Sequence, residues 1–194
     1  MVYEAKNYSK LLGMPGFSDG LLNNHFSLYQ GYVKNTNAIL EQLADMAQGL
    51  KPDAPSPQYA ELKRRMGWEF NGLRLHEYYF DNLGGTEPMS KSTRLVEVFT
   101  AQFGSLEAWE ADFRATGAMR GIGWVVLYQD DITGRLFNQW INEHDVGHWA
   151  GCRPILIMDV FEHAYMMDYG IKKLGYIDAF FKNANWAVAE SRLR

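Results

Sequence analysis

Residues 155–165 read ILIMDVFEHAY, and they place a carboxylate, Asp159, four residues before an imidazole, His163, in an otherwise apolar run. PILIM is a strand candidate, and FEHAYMMDYG after it returns to a helical pattern. Working backwards, GWVVLYQD, a DITG turn and RLFNQWIN predict two strands joined as a hairpin. Further back, SLEAWE starts a helix at Ser105, with acidic residues in its first turn, and another short helix ends near Phe103. YIDAFFKNANWAVAES predicts a closing helix.

The N-terminal half has a different pattern. Leu22, His25, Tyr29, Tyr32, Thr36, Ile39, Leu43 and Met46 are spaced by threes and fours, which predicts a long amphipathic helix started by Ser18 or Asp19. KPDAPSP, residues 51–57, breaks it, and a second stripe then runs through Leu62, Met66, Phe70, Leu73, His76, Phe80 and Leu83. Two long helices with a short joint predict an antiparallel hairpin. NLGGTEPMS, residues 82–90, is the candidate boundary, giving a helical hairpin domain at 1–84 and an α/β domain at 85–194. The class is therefore α+β.

With 194 residues, of which 47% are hydrophobic, the chain can fill a substantial core. A net charge of −4 offers no basic footprint, so neither nucleic acid nor an anionic membrane is an expected partner. The start of the chain lacks a secretory pattern, and no apolar run reaches the ~18–20 residues of a membrane span, so a cytoplasmic protein is expected. The single cysteine, Cys152, suits a reducing compartment and reads as a small buried apolar residue.

His25 and His76 occupy inward stripe positions where Leu or Ile would cost less. Either one alone reads as a core histidine bonded to a carbonyl. Together with Asp159 and His163 they make three imidazoles and one carboxylate, a donor set that suits Fe or Mn among first-row metals. His144 and His148, in INEHDVGH, read as loop histidines, with His148 solvated.

HFSLYQGYVKNTN at 25–37, HEYYFDNLGG at 76–85 and DVFEHAYMMDYG at 159–170 resemble the signature segments of the iron/manganese superoxide dismutases, in the same order. The resemblance implies a helical hairpin packed on an α/β domain with a three-stranded antiparallel sheet, and one Fe or Mn ion between them. The ligands it implies are His25, His76, Asp159 and His163, with a solvent molecule completing the shell. It also implies superoxide as substrate, dioxygen and hydrogen peroxide as products, and a homodimer or higher homo-oligomer bridged through Glu162. The side chain that hydrogen-bonds the bound solvent would be His144, since the alternative family position holds Gly72. Tyr32 would be the proton-relay and gating tyrosine.

The chain departs from the pattern in places. His25 and Tyr32 are seven residues apart, one closer than usual, so either the helix lacks a one-residue bulge or the first ligand is lost and Asn24 holds its place. His25 falls on the stripe of Leu22, Tyr29 and Tyr32, which favours the first reading. Leu28 and Met166 replace a His and a Tyr of the family's access funnel, and Lys173-Leu174 replaces an Arg-Pro pair. In an acidic protein Lys173, with Lys34 or Arg74, would be expected to supply the local positive channel for an anion. Two other readings compete: a metal-free scaffold, and a 2-His-1-carboxylate non-haem iron enzyme.

Overall fold

The computed structural model describes residues 2–49, 51 and 54–194. Two long helices, α1 (Asp19–Ala47) and α2 (Pro57–Asp81), form the expected antiparallel pair. Residues 52 and 53 of their Pro-rich joint lie outside the described residues. Ser18 caps α1 by accepting from the Leu21 N–H, and Ser56 caps α2 through the Tyr59 N–H with Pro57 in the first turn. The inner face of α1 buries Leu22, His25, Tyr29, Val33, Thr36 and Ile39, as the threes-and-fours spacing requires.

Two shorter helices, α3 (Thr93–Phe103) and α4 (Leu106–Ala118), lead to strands β1 (Trp124–Asp130), β2 (Leu136–Ile141) and β3 (Cys152–Asp159). The sheet has the order β2-β1-β3, with both pairings antiparallel. β1 lies in the middle and is buried along most of its length, which accounts for its continuous apolar run. Register places Trp124 opposite both Ile141 and Asp159. Asp159 is thus the last residue of β3, at the sheet end that faces the helical hairpin. One continuous core joins the halves, from Leu22, Tyr79 and Phe80 to Val126, Ile157 and Phe180.

Two helical expectations need correction. After β3 the chain forms a 3-10 turn at Glu162–Ala164 and the single-turn α5 (Met166–Tyr169) rather than one helix. Asp159 sets this path: its Oδ1 accepts the Phe161 N–H at 2.8 Å, a local bond that competes with helix formation. The closing segment is also divided, into α6 (Lys173–Asn183) and α7 (Trp186–Ser191). Ala184 leaves the helix to bridge Leu83, and Asn185 then caps α7 by accepting from the Val188 N–H.

Candidate metal centre

Four segments deliver four donors to one point. His25 comes from the second turn of α1, His76 from the last turns of α2, Asp159 from the end of β3 and His163 from the 3-10 turn. Asp159 Oδ2 lies 3.1 Å from His25 Nε2, 3.1 Å from His163 Nε2 and 3.7 Å from His76 Nε2. His25, His76 and Asp159 are completely buried, and the His163 side chain is 24% exposed. Asn24, by contrast, is exposed and faces Met167.

These residues fit a metal ion. Nitrogen and carboxylate donors stand about 2.0–2.2 Å from a first-row ion, so donors sharing one ion are at most ~4.4 Å apart. Here Asp159 Oδ2 meets that limit with all three imidazoles, and the whole set of four donor atoms lies within 4.8 Å, so a shift of a few tenths of an ångström brings every donor onto one ion. His76 Nδ1 is already engaged by the Gly72 carbonyl, while its Nε2 is buried with no hydrogen-bond partner. A buried imidazole nitrogen left bare is costly unless something electrophilic meets it.

The electrostatics agree. Burial is the largest influence on Asp159 and acts to raise it, yet the neighbouring His163 and His25 outweigh burial and hold the carboxyl well below its ordinary range. Burial pulls His25 and His76 below the ordinary histidine value. For His163 burial also acts downward, but the Asp159 charge and hydrogen bond prevail and raise it. The Asp159 charge therefore favours the imidazolium form of His163 over that of His25 or His76.

His144 and Tyr32 stand beside this cluster. His144 Nδ1 accepts the Trp124 indole N–H at 3.0 Å, and since indole only donates, the proton of neutral His144 resides on Nε2. That Nε2–H donates to the Tyr32 hydroxyl oxygen at 2.8 Å. Burial lowers His144 to about 4, so the ring is neutral near pH 7. Burial, followed by the Asp159 charge, raises Tyr32, which keeps its proton. The Tyr32 ring stacks on His76 with centroids 5.2 Å apart, and Gly72 makes room for it: a Cβ there would sit 2.5 Å from Tyr32 Cδ1.

The sequence pattern described as "Iron/manganese superoxide dismutases, C-terminal domain" matches residues 91–192. The chain belongs to the iron/manganese superoxide dismutase family. It is 38% identical to "Superoxide dismutase [Fe]" of Cupriavidus metallidurans, over 99% of this chain and 96% of that protein. It is 36% identical to "Superoxide dismutase [Fe]" of Aquifex pyrophilus, over 97% and 90% of the two chains. It is 34% identical to "Superoxide dismutase [Mn] 2" of Haloferax volcanii, over 92% and 87%. Relatives under both metal names are thus similar to it.

Other sequence expectations are revised by the geometry. His148 is not a solvated loop residue: its Nε2 reaches the His144 carbonyl at 2.6 Å and its Nδ1 the Tyr128 hydroxyl at 2.7 Å, bracing the His144 loop on β1. Lys173 Nζ donates to the Met119 carbonyl at 2.7 Å and lies over the Trp140 ring, so its ammonium is engaged with backbone. Arg74 is paired with Glu77, which also accepts from the Tyr29 hydroxyl. Three residues at the site had no motif to mark them: Trp124, which orients His144; Trp68, packed 4.7 Å from His144 and 5.4 Å from Tyr32; and Tyr176, whose hydroxyl donates to the Asp159 carbonyl. Among the described residues no helix is long and apolar enough to cross a membrane.

Proposed function

We propose that the protein is a superoxide dismutase holding one Fe or Mn ion on His25, His76, Asp159 and His163. The observation that carries this reading is the convergence of three imidazoles on one buried carboxylate oxygen. The ion would supply the reversible one-electron change by which two superoxide anions and two protons become dioxygen and hydrogen peroxide. The chain's own groups orient and protonate. Asp159 and the imidazoles form a rigid, mostly dry donor set, fixed from behind by Gly72, Phe161 and Tyr176. Neutral His144 holds the Tyr32 oxygen through Nε2–H, leaving the tyrosine's own hydrogen free to be given to the reduced substrate. Tyr32 in turn lines an opening to solvent, from which the proton is replaced.

On this reading the chain works in the cytoplasm as a homodimer or higher homo-oligomer, with 1–84 and 85–194 as its two units. A cavity of about 1080 Å³ lies beside Glu162, with Met119, Ile122, Met166, Ile171 and Leu174 exposed around it, and an apolar rim of this kind supports a face covered by a second copy.

The test combines metal analysis of protein purified without added metal with stopped-flow decay of superoxide. Iron or manganese near one per chain with rapid decay is expected. A metal-free protein would favour a scaffold, and bound metal without superoxide decay would favour the non-haem iron alternative. The position of His25 supports three imidazoles rather than the two of that alternative.

A further inference from the structure

An opening of about 580 Å³ between α1 and α2 exposes Tyr32, and Asn24, Leu28, Asn35, Arg65 and Trp68 are among its walls. Arg65 is the one cation among the described residues that line it. Its guanidinium carbon lies over the Trp68 ring, 4.0 Å from the centroid, and Trp68 itself packs on Tyr32. Glu69 accepts from Arg65 Nε and Nη2 through a single oxygen, Oε1, at 2.9 Å each. The remaining carboxylate oxygen accepts from Asn35 at 3.3 Å.

This pairing is lopsided in a useful way. The Glu69 side chain is 3% exposed and that of Arg65 48%. The carboxylate therefore pins one edge of the guanidinium from inside, and the indole fixes its plane. The rest of this five-donor fork makes no other hydrogen bond among the described residues, and Arg65 lines the opening. Of the other cations expected to draw an anion, Lys173 is committed to a backbone carbonyl and Arg74 to Glu77, while Lys34 is exposed on α1 and does not line this opening.

We propose that Arg65 is the guiding residue for the anionic substrate: its free edge captures a small monovalent anion at the opening and passes it to the space beside Tyr32. This rests on the dismutase reading. Arg65 does not touch the reacting atoms; it raises the local concentration of the anion in a protein whose overall charge repels it.

The test uses the iron-loaded full-length protein, with azide as the anion probe followed by absorbance, and superoxide decay followed against ionic strength. Arg65→Ala should weaken azide binding by about threefold to fivefold, the scale of one half-exposed charge, and flatten or reverse the fall of rate with salt. Glu69→Gln should do the opposite, tightening azide and speeding decay at low salt, a gain that a merely structural ion pair would not give. Arg65→Lys should keep the salt trend and lose part of the azide affinity. Because Arg65→Ala leaves a buried carboxylate, the double variant Arg65→Ala/Glu69→Gln removes that strain; it should show a flat salt response and weakened azide. A double variant matching wild type in both readouts would overturn the proposal, as would unchanged azide binding in Arg65→Ala. If iron-loaded wild type bound azide but consumed no superoxide, the dismutase reading would fail instead.

Discussion

Replacing Gly72 with alanine should disturb the centre through Tyr32, although the change lies in a helix interior, where alanine is ordinarily preferred. The added Cβ would meet Tyr32 Cδ1 at 2.5 Å, Cε1 at 2.8 Å and Cγ at 2.9 Å. A flat ring stacked on His76 cannot rotate away from three atoms at once, so it must translate by about 1 Å to regain ordinary contact. The shift strains the 2.8 Å bond to His144. Overpacking of this kind costs ~1–3 kcal/mol, and the weakened hydrogen bond about 1 kcal/mol more. Helix propensity returns about 1 kcal/mol. A net loss of ~1–3 kcal/mol is expected, a fall in Tm of roughly 2–12 °C for a chain of this size. Superoxide decay should slow by up to ~100-fold, the scale of a 1 Å misplacement at a catalytic group. The decisive assay is a double-mutant cycle by denaturant unfolding of the metal-loaded protein. In a Tyr32→Ala background the clash is gone, and Gly72→Ala should stabilise by up to ~1 kcal/mol. If the two substitutions proved additive within ~0.5 kcal/mol, the ring would not be what holds position 72 as glycine.

His163→Ala should lose metal and activity together, whereas His144→Ala should retain metal and lose most activity; metal content and superoxide decay of both variants check this. Trp124→Phe should also retain metal but slow the reaction several-fold, because without the indole donor His144 Nδ1 is free to take the proton; the imidazole nitrogen NMR shifts would report the change of tautomer. Below the raised His163 value metal uptake should displace a proton from its imidazolium, and titration with metal in two buffers of different ionisation heat reads this release. The sign follows from the raised His163 value: below it proton and metal compete, so affinity climbs as pH rises through that value and levels off above it.

The donors were legible because their cost is visible in the pattern. An imidazole at position 25 or 76 interrupts an apolar stripe, and Asp159 interrupts an apolar strand, so each calls for a partner. What orients them was not legible. Trp124 reads as one more apolar residue of a buried strand, and only the register that sets it beside Ile141 and Asp159 turns its N–H toward His144. His148 reads as solvated because its partners, a backbone carbonyl and Tyr128, become neighbours only when the loop folds back. Nothing in the sequence marks Arg65 and Glu69, because spacing at i and i+4 does not say that one partner is buried and the other is not. The helix after β3 was overread because the spacing of FEHAYMMDYG cannot register that Asp159 takes the Phe161 N–H for itself.

The donors are also dispersed along the chain, with His25 and Asp159 separated by 134 residues. A growing polypeptide therefore carries His25 and His76 long before Asp159 and His163 exist, and the four-donor set is complete only after residue 163 has been added. An ion that needs all four donors therefore meets them together only in a chain that has folded across most of its length. The shell is complete only once the α1–α2 pair has closed onto the sheet, since the helices bring His25 and His76 and the end of β3 brings Asp159.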